Sequence, residues 1–145
     1  MQTRCPEGHL HALTHTLDEV RWHVAQRGLS VSCPVCSKDY ALSPYTQSRL
    51  LEFHETAYLK SRLEHATIKH HGHIFSIAFV GLTISPWPFP PLTAAVDLRA
   101  SDGHTEYRFH MNLLLEHLRD PTALWSAVRR GLSHRIGRPD RDLRR

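Results

Sequence analysis

Two short segments near the N-terminus contain all three cysteines of the chain and constrain its fold more than any other feature. They are Cys5-Pro-Glu-Gly-His9 and Cys33-Pro-Val-Cys36, and 23 residues separate them. Thiolate and imidazole groups are preferred ligands of zinc, and a structural zinc site holds four of them in a tetrahedron. An odd number of cysteines argues against a closed disulfide framework, and clustered cysteines in a reducing compartment more often bind metal. The sequence therefore predicts one structural zinc ion bound by Cys5, His9, Cys33 and Cys36.

The fourth ligand has competitors, and the cysteines have an alternative interpretation. Gly8 favours His9, because a glycine lets the first loop fold its end back toward the ion. His11 and His15, and further along the chain His23, remain open as replacements. Free buried thiols or a redox pair are the alternative to metal binding.

The residues between the two segments favour a compact module. Thr16 and Glu19 fit a capping box at the start of a helix, and Gly28 fits its end. A short alternating stretch then leads into Cys33. This order of knuckle, helix, strand and knuckle resembles zinc-ribbon and treble-clef zinc fingers, and the ligand spacing is similar to the second zinc site of RING domains. The resemblance covers about residues 5–42 and implies a structural ion, because four protein ligands leave no open position for water.

The whole chain is predicted to be an α+β protein, in which an N-terminal zinc-finger module precedes a small three-stranded antiparallel sheet packed with helices. Its hydrophobic fraction of 41% is sufficient for a globular core. The predicted regions are the zinc module at 1–42, an α+β domain at 43–137 and a basic tail at 138–145. The elements of the α+β domain are a helix at 46–66, strands at about 74–84, 92–100 and 104–111, and helices at about 113–119 and 121–136.

Apolar patterns assign buried faces to these elements. In the first helix, the apolar residues that recur near the helical period are Leu50, Phe53, Ala57 and Leu63. The continuous apolar run at 74–84 predicts a central strand that is buried on both faces. The segment 69–73, which contains three histidines and one lysine, is expected to form a solvated turn after the helix.

The clearest hairpin signal is the pair of alternating segments on either side of Asp102-Gly103. That dipeptide favours a two-residue type I′ turn. With such a turn, Arg99 would lie opposite Glu106, and Asp97 would lie opposite Arg108. Cross-strand ion pairing then explains these charges without an active site.

The charge balance favours an acidic partner. The formal net charge is +4, the chain has 13 histidines, and its last segment is rich in arginine. A stiff proline-rich loop at 85–91 is expected either to display Trp87 and Phe89 for docking or base stacking, or to fold them back so that they cover the sheet. The candidate partner-binding residues are Trp87, Phe89, Arg129, Arg130, Arg135, Arg138 and Arg141. The predicted function is a non-enzymatic, zinc-stabilised protein that docks on nucleic acid or on a protein of a nucleoprotein machine, as a subunit or regulator of a transcription or defence complex or as a phage inhibitor.

A metal-dependent nuclease is the alternative function. Asp97 and the Glu106-Tyr-Arg108 segment, on neighbouring predicted strands, are similar to the restriction-endonuclease-like core. That resemblance implies a Mg²⁺ ion held by Asp97 and Glu106, with Arg108 at the position where the family has a lysine. An arginine stays protonated, so it is a poor substitute in that role.

The sequence does not indicate a membrane segment. It lacks a run of about 18 apolar residues of the kind that spans a bilayer, and its N-terminus lacks the apolar core of a signal peptide. A cytoplasmic location is therefore expected. The oligomeric state is left open.

Overall fold

The computed structural model describes residues 1–25, 28–84 and 93–137, and within them the fold is mixed α and β, with four helices and three sheets. The elements in chain order are β1 (Gln2–Arg4), β2 (Leu10–Ala12), α1 (Leu17–Ala25), β3 (Ser30–Ser32), β4 (Asp39–Ala41), α2 (Pro44–Leu63), β5 (Thr67–His70), β6 (His73–Ile84), β7 (Thr93–Ser101), β8 (Glu106–Leu114), α3 (Leu115–Leu118) and α4 (Pro121–Gly137). No helix in the described ranges is both long and apolar enough to cross a membrane. Four predicted partner-binding residues lie outside the described ranges, namely Trp87, Phe89, Arg138 and Arg141.

The described elements group into two compact units. The first contains Met1–Glu55 together with Ile84, and the second contains Thr56–Thr83 and residues 93–137. The division falls within α2, whereas the sequence predicted a boundary at residue 43. The first half of α2 therefore makes its contacts with the N-terminal segment.

Two short antiparallel hairpins form the sheets of the first unit. β1 pairs with β2, β3 pairs with β4, and α1 connects the two hairpins along the chain. Thr16 caps α1 as predicted, because its Oγ1 accepts a hydrogen bond from the amide of Glu19 at 3.3 Å. The amide of Gly28 donates to the carbonyl of His23 at 3.0 Å, which is consistent with the predicted helix end.

A buried ion pair joins α1 to α2 within the first unit. The Arg21 guanidinium donates two hydrogen bonds to the Glu55 carboxylate, from Nε to Oε1 and from Nη2 to Oε2, the latter at 2.9 Å. The side chain of Glu55 is 1% exposed and that of Arg21 is 10% exposed. The planar fork of an arginine matches a carboxylate in this bidentate geometry. The pair therefore fixes α1 on α2 at one defined position.

The buried face of α2 differs from the predicted one. Phe53 is 56% exposed and Ala57 is also exposed, so their assignment to the core was wrong. Leu50 and Leu63 are buried as predicted, and Leu51, Glu55 and Leu59 form a further buried row that recurs every four residues along the helix. A glutamate in the middle of this face could not be recognised as a core residue before its partner Arg21 was located.

The second unit contains a sheet of four strands in the order β5-β6-β7-β8, so the predicted three-stranded sheet lacked one strand. The additional strand, β5, pairs with β6, and His70 lies opposite His73. His71 and Gly72 connect them with φ values of +49° and +81°. Positive φ at both central residues is the requirement of a type I′ turn. The histidine-rich segment that was predicted as a turn is thus a tight hairpin with strand residues on both sides.

Strand β6 lies inside this sheet, but the prediction that both of its faces are buried was wrong. Phe75 and Ile77 are buried, whereas Ile74 is 62% exposed and Val80 is 40% exposed. Alternate side chains at the start of the strand thus point to a covered face and to an accessible face, as in antiparallel sheets with one solvated side.

The loop between β7 and β8 is longer than the predicted two-residue turn. Ser101 lies opposite Glu106, so four residues connect the strands. The carboxylate of Asp102 organises this loop, because its Oδ1 accepts hydrogen bonds from the amides of Thr105 at 2.7 Å and His104 at 2.9 Å. These two hydrogen bonds lower the pKa of Asp102.

The longer loop shifts the pairing of β7 with β8 by two residues. Asp97 lies opposite His110, and Arg99 lies opposite Arg108, so the prediction that Asp97 faces Arg108 and that Arg99 faces Glu106 was wrong. Because the shift is even, every side chain keeps its predicted face of the sheet. Arg99 still reaches Glu106 diagonally, with 3.8 Å between Nη1 and Oε1.

Helix α4 packs against β8. The Asp120-Pro121 sequence predicts a helix start, and Asp120 caps the first turn, since its Oδ1 accepts a hydrogen bond from the amide of Thr122 at 3.0 Å. Gly131 is the position of closest approach, where a Cβ would lie 2.9 Å from the ring of Phe109. The missing side chain therefore allows the helix to lie directly on the strand.

We expect Glu55→Ala to lower the free energy of unfolding by about 3–5 kcal/mol, because the Arg21 guanidinium would stay buried after losing this carboxylate. Glu106→Ala is the control, since it removes the exposed ion pair with Arg99 and should cost less than about 1 kcal/mol. Chemical denaturation measures both values. Equal losses in the two variants would contradict a special role for the buried pair.

We expect Gly131→Ala to destabilise the protein by about 1–3 kcal/mol through overpacking against Phe109. Gly137→Ala lies in the same helix with no atom within 4 Å of the added Cβ. It should instead be neutral or stabilise by up to about 1 kcal/mol, because alanine has the higher helix propensity. Thermal unfolding of the two variants distinguishes these outcomes, and a stabilised Gly131→Ala protein would contradict the close approach.

Candidate metal centre

The first pair of predicted ligands lies at the tip of the β1–β2 hairpin. The amide of Cys5 donates to the carbonyl of His9 at 3.0 Å, and the amide of Gly8 donates to the carbonyl of Cys5 at 2.8 Å. Gly8 has a φ of +90°, which glycine adopts without the steric cost of a Cβ. The tight loop brings His9 Nδ1 to 3.3 Å from Cys5 Sγ. As expected from the sequence, Gly8 thus allows the loop to fold His9 back toward Cys5.

The second pair lies at the tip of the β3–β4 hairpin, where Cys33 and Cys36 face inward. The amide of Cys33 donates to the carbonyl of Lys38 at 3.0 Å, and the amide of Ser37 donates to the carbonyl of Cys33 at 2.8 Å. Ser37 closes the loop with a φ of +61°. The amide of Val35 donates to Cys33 Sγ at 3.4 Å, which favours negative charge on that sulfur.

The two tips converge, and the ligand atoms of Cys5, His9, Cys33 and Cys36 all lie within 4.8 Å of one another. Cys5 Sγ is 3.9 Å from Cys36 Sγ, and Cys33 Sγ is 3.9 Å from His9 Nδ1. A disulfide would place two sulfur atoms about 2.05 Å apart, and the three cysteines are free thiols. Cys5 and Cys33 are buried, and the other two side chains are half-buried. The four residues thus form a candidate metal-binding site.

The protein environment affects the three sulfurs differently. Burial raises the pKa values of the Cys5 and Cys33 thiols, but hydrogen bonds from backbone amides outweigh it, and both pKa values lie below the usual one. A backbone amide also lowers the pKa of Cys36, yet burial and the two neighbouring thiols together raise it above the usual value. Negative charge is therefore favoured on the sulfurs of Cys5 and Cys33. It is opposed on the sulfur of Cys36, because the other two sulfurs lie close to it. A cation between them would remove that repulsion.

The competing histidines lie elsewhere. Both ring nitrogens of His11 have partners, with Nε2 at 2.5 Å from the hydroxyl of Tyr40 and Nδ1 at 3.2 Å from the carbonyl of Ala12. His15 and His23 face each other with 6.4 Å between ring centroids and do not join the cysteines. Of the four histidines considered from the sequence, the geometry brings only His9 to the sulfur atoms.

The residues of the predicted nuclease site lie on the exposed face of the β7–β8 ladder, where Asp97, Glu106 and Arg108 are all solvent-accessible. Asp97 lies four ladder positions from Glu106, which corresponds to about 13 Å at about 3.3 Å per residue. Two carboxylates that bind one Mg²⁺ at about 2.1 Å have oxygens within roughly 4.2 Å of each other. The observed register therefore does not place these carboxylates around a common ion.

The described residues among the predicted partner-binding set differ in accessibility. Arg129 and Arg130 are exposed on α4 and, with the half-buried Trp125, line an open pocket of about 590 Å³. Arg135 is half-buried, and its Nε donates a hydrogen bond to the carbonyl of Arg108 at 3.2 Å. Arg129 and Arg130 thus remain accessible to a partner, whereas Arg135 contacts β8.

A second pocket was not anticipated from the sequence. It is a groove of about 770 Å³ between β8 and the C-terminal half of α4. The alternation in β8 ended at residue 111 in the sequence prediction, which placed Leu113 in a helix at about 113–119, whereas Met111 and Leu113 are both buried residues of the strand. It contained no signal for the groove, because the position of β8 at the end of the strand order depends on pairings between distant segments.

Comparisons with known proteins do not extend this description. No protein-family model, curated protein or solved structure matches the chain. The chemistry available to the site consequently follows from its own ligand types, spacing and burial. Three thiols and one imidazole, whose ligand atoms lie within 4.8 Å of one another, are suited to a borderline-soft divalent metal.

We expect His9→Cys to retain one bound metal ion per chain, because it preserves four ligands at the two tips. Loss of an outer-sphere partner typically weakens metal affinity by about 10–100-fold. His9→Ala removes a direct ligand, so it should weaken the affinity by more than that. A competition titration with a chromogenic chelator measures both affinities. His11→Ala is the matched control, and it should keep the metal while costing about 1 kcal/mol of stability through the lost Tyr40 hydrogen bond. Loss of metal from His11→Ala but not from His9→Ala would contradict the assignment.

Proposed function

We propose that Cys5, His9, Cys33 and Cys36 bind one structural zinc ion and that the protein is a zinc-stabilised binding protein rather than an enzyme. Zinc binds thiolate sulfur at about 2.3 Å and imidazole nitrogen at about 2.0 Å, so a tetrahedral site has S···S separations near 3.8 Å and S···N separations near 3.5 Å. The distances of 3.9 Å between Cys5 and Cys36 and of 3.3 Å between Cys5 and His9 lie close to these values, and the distance of 3.9 Å between Cys33 and His9 is somewhat longer. The convergence of the four ligands from two hairpin tips carries the proposal.

A structural role is favoured over a catalytic one. Catalytic zinc sites use three protein ligands and keep one position for water or substrate, whereas this site has four protein ligands. The arrangement of two ligand-bearing hairpin tips also supports the resemblance to zinc ribbons. Each of these hairpins has strands of only three residues, which are too short to be stable alone.

The surface of α4 supports binding to an acidic partner, either nucleic acid or a protein of a nucleoprotein complex. The helix contains three arginines and one histidine and no acidic residue. Exposed Arg129 and Arg130 border the pocket that contains Trp125, so a cationic and an aromatic group are adjacent. Nucleic acids are bound in this way, with phosphates on cations and bases on aromatic rings. A regulatory or subunit role in such a complex is consistent with these features.

We expect the purified protein to contain one zinc ion per chain, as measured by elemental analysis. Cys36→Ser should lose the ion, and its first unit should lose hydrogen-exchange protection, because structural zinc contributes directly to folding. Val35→Ser is the matched control, since it introduces the same residue beside Cys36 at a position that is 64% exposed. Full protection of Cys36→Ser without metal would contradict a structural ion.

We expect nucleic-acid binding to weaken steeply between about 50 and 200 mM salt, because each neutralised phosphate releases a counterion. Fluorescence anisotropy with short single- and double-stranded oligonucleotides measures this. Arg129→Ala should reduce the slope by about one phosphate contact, and Lys60→Ala on α2 is the control. No binding at low salt would exclude nucleic acid and retain the protein partner. Mg²⁺-dependent cleavage of the oligonucleotides would overturn the non-enzymatic assignment.

A further inference from the structure

Strand β8 has one free edge. It is the last strand in the order β5-β6-β7-β8, and within the described residues it pairs only with β7. A free edge presents backbone N–H and C=O groups that another extended chain can pair with. With nine residues, β8 is longer than a typical strand and offers several such groups.

The contact of Arg135 identifies the outward-facing backbone groups. Its Nε donates to the carbonyl of Arg108, so that carbonyl points away from β7. In an antiparallel strand, the backbone groups of alternate residues point to the same side. The N–H and C=O groups of His110 and Asn112 therefore point to the free edge as well. Both residues carry exposed side chains on the outer face of the sheet.

The groove between β8 and α4 runs along this edge. Its volume is about 770 Å³, and Asn112 is among its lining residues. The floor is apolar and includes buried atoms of Met111, Leu113 and Ala127. Its helical wall presents Arg130 and His134, and no acidic side chain of the described residues lines the groove. The site thus combines the outer edge of β8, an apolar floor and a positively charged wall on α4.

We propose that this groove binds an extended acidic segment of a partner protein, which adds a fifth strand to the sheet by pairing with β8. Backbone hydrogen bonds to His110 and Asn112 would supply affinity, as in other cases of strand addition. Alternate side chains of the segment would face the apolar floor, and carboxylates would face Arg130. The proposed groove rests on the proposed binding function and names the class of partner. It does not depend on the cysteine cluster.

A second copy of the chain fits the groove less well. Antiparallel pairing of β8 with the β8 of another copy would place two α4 helices on the same side of the continuous sheet. Arg130 of each copy would then border one shared groove, in which residues 93–137 place no acidic side chain. Like charges brought together in this way oppose association, so the charge distribution favours an acidic chain over self-pairing.

The test uses the full-length, zinc-loaded protein and two synthetic peptides of about ten residues. One alternates valine with glutamate, and the other alternates valine with lysine. We expect the glutamate peptide to bind at least about tenfold more tightly than the lysine peptide. Binding should protect the amides of His110 and Asn112 from hydrogen exchange. Fluorescence anisotropy measures affinity, and NMR measures the exchange of each amide.

Asn112→Pro removes one outward N–H, and a proline is tolerated where the amide of an edge strand faces away from its neighbour. We expect it to weaken binding of the glutamate peptide by about tenfold, whereas Asn112→Thr, which keeps the amide, should have little effect. Arg130→Glu should weaken binding by about tenfold, and Arg129→Glu, one residue earlier and outside the groove, by much less. The Arg130 and Arg129 pair keeps the test decisive if Asn112→Pro does not fold.

Three results would overturn the proposal. The first is that neither peptide binds, or that both bind equally. The second is that Asn112→Pro and Arg130→Glu both leave the affinity unchanged. The third is a dimer of the intact protein in sedimentation equilibrium that Asn112→Pro converts to a monomer, because the occupant would then be a second copy. Zinc content and oligonucleotide binding of Asn112→Pro should equal those of the intact protein, so failure of this site is distinguishable from failure of the proposed function.

Discussion

The meeting of two hairpin tips around three sulfurs and one imidazole nitrogen is the constraint on which the first unit depends. Strands of three residues contribute few backbone hydrogen bonds, so contacts between the two tips add to what the hairpins themselves supply. Thiolates placed this close repel each other unless a cation neutralises them. The proposed metal ion would therefore turn a repulsive cluster into a link between the two hairpin tips. The buried Arg21–Glu55 pair then links the connecting helix to α2.

The sequence was most informative where function or geometry restricts the residue type. Cysteine spacing indicated the four clustered side chains, because few residues bind a soft metal and their positions must converge. Thr16 and Asp120 indicated helix starts through a hydrogen bond within one turn, and both are observed. The alternation of β7 and β8 indicated which side chains are buried. Helix caps and strand alternation depend on short stretches of chain. Metal ligands depend on side chains that few other residue types can replace.

The remaining features depend on contacts between distant segments. Strand β5 has only four residues, and Ile68 is the only one of them that is buried, so the strand is recognisable only once β6 lies beside it. Glu55 looks like a surface residue until Arg21 is opposite it. The register of β7 and β8 was missed because Asp102 binds two amides of the loop, a preference that competes with the short turn. The groove beside β8 follows from strand order, which no local pattern specifies.

The hydrogen bond from Arg135 to the carbonyl of Arg108 has a consequence for solubility. A long bare strand edge can recruit further copies of itself and grow into an aggregate. Here a guanidinium occupies one of the outward carbonyl groups, and Arg108 adds a positive charge on the solvent face of the same strand. Open-ended stacking would have to displace the first group and bring like charges together. Arg135 and Arg108 therefore oppose open-ended pairing of this edge with further copies of the chain.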